Sequence, residues 1–582
     1  MHLFGAAGRP PTLPVLTSFM RVVVVLSLSA LPLLSRPAEA CGCFAGPPVA
    51  STPVVQAGER IFFAVKNGRV IAHIQIQYAG DAQDFGWLLP LPSVPVLKAG
   101  SEELFTQLEA TTAPRFALGQ GATGNCNRGF FLGCGSPRAQ SSARPPDGSP
   151  QTPLVFTDSV GPYDAAVLKA DDKQQLIDWL SANRFVVPTT SDAALGPYLR
   201  PGAYFLALKL KAGKTSGDLT PIVVEYASEL PMIPITLTSI GATPNMGVQV
   251  FLAGNGRAVP RNYRHVVIND GLVNWLGGAQ NYSELVTRAV AEAPGKHAFV
   301  TDFADSAEVM RGALVPEGRF GAESVLAARS DPASFVQHLW DKRFDLEPPP
   351  RDPNDFITPE VPRPNRFPPV LEGLLFEAFP VPPVIAQRGR LNPQEWLRQV
   401  PIYLSPEYRR QAPEDFVGYE PPPFDPVALS RRIFREYVDV MRETDDLFWT
   451  FPTLTRLYTT LSPEDMNRDP VFGFNPSLPA VPRDRQATRL FNCDTNETRI
   501  VTPQGWRLPL SDAPTNVPAA LTIETLAEEG APTVEQDNAD AIDQVLESNR
   551  QSMNGGCAAV VDPVLVGLVM VLARWRRRSA RA

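Results

Sequence analysis

From Arg60 to Pro95 apolar and polar positions alternate with period two. Val70, Ala72, Ile74, Ile76 and Tyr78 fall on one face, and Ile71, His73, Gln75 and Gln77 on the other. That period predicts a half-buried strand, with His73 as a strand-face residue. Further strands are predicted at Ala203–Leu210, Ile222–Tyr226, Ile235–Ile240 and Val248–Leu252, punctuated by Gly, Pro and Asn turns. Short helices interrupt them. Asp172 and Gln175 form a capping-box-like start ahead of Leu176, Ile177 and Leu180, and Tyr282–Ala293 stops at Pro294-Gly295. Asp331-Pro332 supplies an N-cap and a first-turn proline for a helix through Trp340. A longer helical pattern runs from Asp425 to Phe448. The predicted fold class is α+β. A β-rich body of sandwich-like antiparallel sheets carries short helices, a Pro-rich extended wrap and a C-terminal helical part.

Composition changes this picture in one respect. Apolar residues make up 44% of the 582 and charged residues 20%, an ordinary globular mix, but there are 61 prolines, roughly twice the usual share of about 5%. They concentrate between Pro348 and Pro426, a stretch expected to run extended over the body, because proline fixes φ and removes a donor. The expected organisation is a signal peptide over 1–40 (translation starting at Met1 or Met20), a β-rich domain over 41–330 with an insertion near 135–153, and a helix plus Pro-rich segment over 331–426. A mixed helical part over 427–529, a polar stalk over 530–556 and an apolar segment with an Arg-rich tail over 557–582 complete it.

The two ends read as addresses. Met20-Arg21, the apolar run Val22 to Leu34 and Ala38-Glu39-Ala40 have the form of a secretory signal cleaved between Ala40 and Cys41. A lipoprotein cut before Cys41 is the rival reading. At the other end Cys557 precedes an apolar segment broken by Asp562 and Pro563, and then Arg574-Trp575-Arg576-Arg577-Arg578. The uninterrupted apolar part is shorter than the ~20 residues of a stable span, while the Arg cluster marks a cytoplasmic stop. Cysteine, short apolar segment and Arg tail resemble the myxobacterial C-terminal sorting signal (MYXO-CTERM). The resemblance implies processing near Cys557, lipid attachment there and surface display; a plain tail anchor is the alternative.

Export would put Cys41, Cys43, Cys126, Cys134 and Cys493 in an oxidising compartment. The Gly-flanked loop between Cys126 and Cys134 suits a local disulfide. Cys41-Gly-Cys43 lacks the C-x-x-C spacing of redox pairs, and no metal site or cofactor is expected. The net charge of −8, with basic residues gathered at the two ends, excludes nucleic acid as a partner, because phosphate neutralisation needs a basic surface.

Catalytic signatures are sparse. H-E-x-x-H and G-x-S-x-G are absent, and Gly213-Lys214-Thr215 lacks the upstream glycine of a phosphate loop. His73, His265, His297 and His338 lie far apart along the chain. Asp81 and Asp84 beside Trp87 could serve a glycosidase as acid and base near an apolar platform, although turn chemistry and a core tryptophan explain them more simply. Asp537–Asp543 mimics a Ca²⁺ loop without its sixth-position Gly or twelfth-position Glu.

Several segments carry a resemblance: Gln56-Ala-Gly-Glu-Arg-Ile-Phe-Phe63, Ile74-Gln-Ile-Gln-Tyr-Ala-Gly-Asp81, Phe85-Gly-Trp-Leu-Leu-Pro-Leu-Pro92, Val160-Gly-Pro-Tyr-Asp164, and Thr455-Arg-Leu-Tyr-Thr-Thr-Leu461 with Asp469-Pro-Val-Phe472. Over most of residues 41–510 the chain resembles the bacterial domain of unknown function 2330 family. The resemblance implies a secreted or surface-bound protein and brings no activity, ligand or catalytic residue with it. The expected function is a non-enzymatic envelope or surface protein, exported to the cell surface or outer membrane, with periplasm or medium as alternatives. Its expected partners are the membrane (through the C-terminal segment or a lipid), the sorting machinery, and another envelope protein or glycan. The alternative is an exported carboxylate-dependent hydrolase of glycan or peptidoglycan, with Trp87 or Trp179 as platform.

Overall fold

The computed structural model describes residues 55–79, 86–123, 157–169, 173–183, 185, 194–199, 202–211, 219–228, 230–348, 366–388, 393–510 and 521–523. The expectations placed on the signal peptide, Ala40, Cys41, Cys43, Asp81, Asp84, Cys126, Cys134, the 135–153 insertion, the 530–556 stalk and the tail from Cys557 lie outside the described residues.

The protein is α+β, with a β-rich body of several sheets and a C-terminal helical part. Its largest sheet has nine strands. In spatial order these are β19 (Leu521–Ile523), β12 (Arg264–Ile268), β13 (Ala298–Ser306), β14 (Thr453–Leu461), β10 (Ala242–Gly254), β1 (Val55–Lys66), β2 (Arg69–Ala79), β9 (Ile222–Ala227) and β4 (Val96–Ala99). A second sheet has the order β3 (Gly86–Leu91), β8 (Tyr204–Leu210), β7 (Tyr163–Lys169), β6 (Thr157–Val160). A third has the order β18 (Arg507–Pro509), β17 (Glu497–Val501), β16 (Asp484–Asn492), β5 (Arg115–Thr123). β11 (Arg257–Pro260) pairs with β15 (Phe472–Asn475).

The pairing is mixed, where the sequence pattern suggests antiparallel sheets throughout. β1 runs parallel to β10, β12 to β13 and β5 to β16. Parallel neighbours need a long crossover, and for β12 and β13 the helix Tyr282–Glu292 lies in that connection.

Period-two alternation puts two different rows on the two faces of the nine-stranded sheet. On one face Ile74, Ile61, Val250 and Leu457 stand side by side; on the other stand His73, Phe62, Phe251 and Arg456. Both faces are covered. Helices Glu102–Thr112 and Asp439–Thr450 close the second face through the ring pairs Phe105–Phe251 at 6.3 Å and Phe62–Phe448 at 5.2 Å. The first face meets β3, whose alternation splits its side chains: Trp87, Leu89 and Leu91 join the main core, and Leu88 joins a satellite core with Leu176, Leu180, Phe205 and Tyr198. The helix Lys173–Ala182 therefore packs on the outer side of the β3 sheet. The main core runs in sequence from Ile61 to Leu508.

Two stretches depart from the sequence reading. Ile235–Ile240, expected as a strand, begins as the short helix Ile235–Thr238. Pro234 precedes it, and the Asp469 carboxylate accepts the Thr236 N–H at 3.0 Å, giving the helix an N-terminal cap from a distant part of the chain. Where it is described, over 366–388 and 393–426, the Pro-rich stretch, expected as an extended wrap, folds largely into short helices that begin at Pro369, Pro383, Pro393 and Pro406. Proline is well placed at the first helical position, where its missing N–H has no intrahelical partner to lose. The helix expected from Asp425 is present from Pro426 to Thr450, with Asp425 capping Val427 and Ala428 and a π-turn at Phe434–Val438.

Candidate functional site

Three of the segments singled out in the sequence meet at one place. Glu59, Ile61 and Phe63 from β1, Ala72 and Ile74 from β2, and Leu89 to Pro92 at the end of β3 line a cavity of about 20 Å³ between the nine-stranded and four-stranded sheets. Tyr226, Met232, Ile233 and Pro234 complete it. It has room for about one water. Glu59 is 4% exposed, and its partner is Gln56, whose Nε2 donates to Glu59 Oε2 at 3.4 Å.

A β-bulge makes this contact. Residues three apart on a regular strand point to opposite faces, but the register of β1 against both neighbours shifts between Gln56 and Gly58. The extra residue brings Gln56 round to the face of Glu59. A Cβ at Gly58 would lie 2.5 Å from Gln77 Oε1, so a larger residue at the bulge would have to turn the Gln77 side chain aside. Burial pushes the Glu59 carboxyl up to about 7, with the Gln56 hydrogen bond acting in the opposite direction. Gln56 Oε1 is buried without a hydrogen-bond partner.

A second hollow, about 40 Å³, lies on the other face, where β2, β4 and β9 meet the helix Asp439–Thr450. His73, Lys98, Glu225, Glu443 and Thr444 contribute its polar groups. Lys98 Nζ pairs with Glu443, and Arg69 Nε with Glu225 at 2.6 Å. Burial and the Lys98 charge push His73 down to about 3, so its ring is neutral, and Nδ1 has no hydrogen-bond partner.

The remaining polar interior joins elements together. Arg456 of β14 lies 3.2 Å from Asp302 and 3.1 Å from Glu109, while Tyr282 donates to Asp302 at 2.5 Å. His265 contacts Thr301 and Arg257, and burial followed by the Arg257 charge pushes it down to about 3. His297 and His338 are also displaced downward, by burial first. The four histidines sit in separate environments, and among the described residues no group of three His, Cys, Asp or Glu is placed to hold a metal. Among them, too, no helix is long and apolar enough to cross a membrane.

Trp87 is a core residue, 5% exposed, and Trp179 packs on Phe185 with ring centroids 6.0 Å apart. Cys493, next to the end of β16, is disulfide-bonded. Sequence reasoning quoted Glu59 within a segment without assigning it a role. The available signal was an acidic residue in register with Ile61 and Phe63, on a face that the period predicts to be buried.

A family model described as an uncharacterized protein conserved in bacteria (DUF2330) matches residues 37–339. The segments Thr455–Leu461 and Asp469–Phe472, which carried part of the resemblance, lie outside that range. No curated protein and no solved structure matches the chain.

Proposed function

The chain belongs to this family of bacterial proteins, and on that premise we propose that it is exported, held at the cell surface or outer membrane, and acts there as a non-enzymatic structural or interaction protein. The observation that carries the reading is the disulfide at Cys493. Disulfides form and persist in oxidising compartments and are rare in the cytosol, which agrees with a signal peptide ending at Ala40. Cys557 with its apolar segment and Arg tail supplies retention, through a myxobacterial-type sorting signal or a lipid. The partner is another envelope protein or a glycan.

The hydrolase alternative needs two carboxyl groups about 5–10 Å apart across a cleft. Among the described residues the cavity formed by the family segments offers a single carboxyl, with apolar side chains and Tyr226 around it. Fractionation tests the address. Deleting 557–582 should release a folded protein into the medium, and Cys557→Ser should do the same if that thiol is the processing site. A serine variant that stays membrane-bound while the deletion is released identifies a tail anchor. If both remain fully cell-associated, the surface reading fails.

A further inference from the structure

We propose that Glu59 and Gln56 form a proton-binding site at the joint between the nine-stranded sheet and the β3 sheet: protonated Glu59 keeps the joint closed, and ionised Glu59 loosens it. The inference does not rest on where the protein resides.

Geometry carries it. Among the described residues, Glu59 lies inside a cavity whose other walls are apolar apart from Tyr226, and Gln56 is its one hydrogen-bonding neighbour. A carboxylate in that position would have a single long bond from an amide, and burying a charge so poorly satisfied is strongly unfavourable. The neutral acid fits better. Gln56 presents one N–H that reaches Glu59 and one buried oxygen that lacks a donor. A carboxylic acid has one oxygen to accept and one O–H to donate, so the protonated pair can satisfy both amide atoms at once, and the ionised pair cannot.

Among the described residues the surroundings supply no compensating charge. From β2 the cavity receives Ala72 and Ile74, from β3 Leu89 to Pro92, and from the Met232–Pro234 segment apolar side chains. Tyr226 of β9 is the other titratable group on the lining, and burial pushes its hydroxyl upward, so it stays neutral. Behind the Met232–Pro234 segment Asp469 is itself raised, by burial, to about 6 and is bonded to Tyr198 and Thr236. His73 lies on the opposite face of the sheet. When Glu59 ionises, the charge gains solvation if water enters between β1 and the end of β3.

Native-state hydrogen exchange of the full chain between pH 5.5 and 8.5, corrected for the intrinsic pH dependence of exchange, tests this. Protection of β3 and β8 amides should fall by up to tenfold per pH unit from pH 5.5 to about 7, the limit for release of one proton, and level off above about 7.5. In Glu59→Gln it should be level throughout; because Asp469 is unchanged in that variant, the difference between the two proteins reports Glu59 alone. Should the variant fail to fold, infrared spectroscopy of the wild type decides: Asp469 should lose its buried-acid carbonyl band near pH 6, and a second such band, that of Glu59, should persist to about pH 7 and be absent at pH 8.5. Protection that is independent of pH in the wild type, the same pH dependence in Glu59→Gln, or absence of an acid band that titrates near pH 7 would overturn the proposal.

Discussion

Asp469 is the most connected carboxylate in the satellite region, and removing it should cost far more than a surface substitution. It is fully buried. Its Oδ1 accepts from Thr236 N at 3.0 Å and Thr236 Oγ1 at 2.9 Å, and its Oδ2 accepts from Tyr198 at 2.6 Å. Asn262 holds the same segment from the other side, donating to the Asp469 carbonyl at 2.6 Å and accepting from Val471 N at 2.9 Å. Tyr198 belongs to the satellite core and Phe472 to the main core, so the Asp469 carboxylate ties the two together. In Asp469→Ala three donors lose their acceptor inside the protein. Each stranded group costs about 1–3 kcal/mol, and since neighbouring losses do not add, the expected total is about 4 kcal/mol. Asp469→Asn keeps one acceptor for Thr236 and removes a buried charge, so it should cost less than about 1.5 kcal/mol. Tyr198→Phe removes one charge-assisted bond without stranding a donor, at a cost of about 1.5 kcal/mol. In the Asp469→Ala background the same change should be neutral or stabilising, because the stranded hydroxyl disappears with it. Urea unfolding at constant m-value reads all four proteins of the cycle. A cost below about 1 kcal/mol for Asp469→Ala, or strict additivity with Tyr198→Phe, would refute the assignment.

Glu103 and Arg319 form a fully buried two-point pair at 2.5 and 2.9 Å. Glu103→Ala should destabilise by about 3 kcal/mol because it removes the two-point partner of buried Arg319 and leaves only Glu347, 4.0 Å away, as counter-charge, and a measured loss under 1 kcal/mol would contradict that. Burial raises the folded-state value of Glu59 from 4.5 to about 7, so the folded protein holds the extra proton. Its contribution to stability is complete below about pH 4.5 and is lost as pH rises through 7, a loss of about 3 kcal/mol that should be absent from Glu59→Gln in denaturation series at matched pH. A Cβ at Gly254 would lie 2.1 Å from the Phe474 ring, so Gly254→Ala should cost about 1–3 kcal/mol; an unchanged melting temperature would show that the ring moves freely. Cys493 N donates to Thr123 O at 2.9 Å, at the end of the parallel β5–β16 register. Cys126 follows Thr123 by three residues, at most about 11 Å of chain, so non-reducing peptide mapping should join Cys126 to Cys493; a Cys126–Cys134 peptide would restore the local loop expected from the sequence.

Local pattern gave the strands because each needs only its own residues: Val70 to Tyr78 alternates with period two and Ala203 to Leu210 is a short apolar run buried on both faces, and β2 and β8 occupy them. Ile235–Ile240 was misread for the opposite reason. Its apolar run suits a strand, and what makes it a helix is the Asp469 carboxylate, more than 200 residues away. The same limit applied to the Pro-rich stretch, where proline density signals the loss of backbone donors but not whether each proline stands at the first turn of a helix or within an extended segment. The site was hidden more deeply. On a regular strand Gln56 and Glu59 would stand on opposite faces, and the bulge, visible once β1 is paired with both β2 and β10, puts them together. The residues that make the joint sensitive to protons are thus ordinary in sequence, and their chemistry arises from a one-residue shift in register and from the sheet that closes over them.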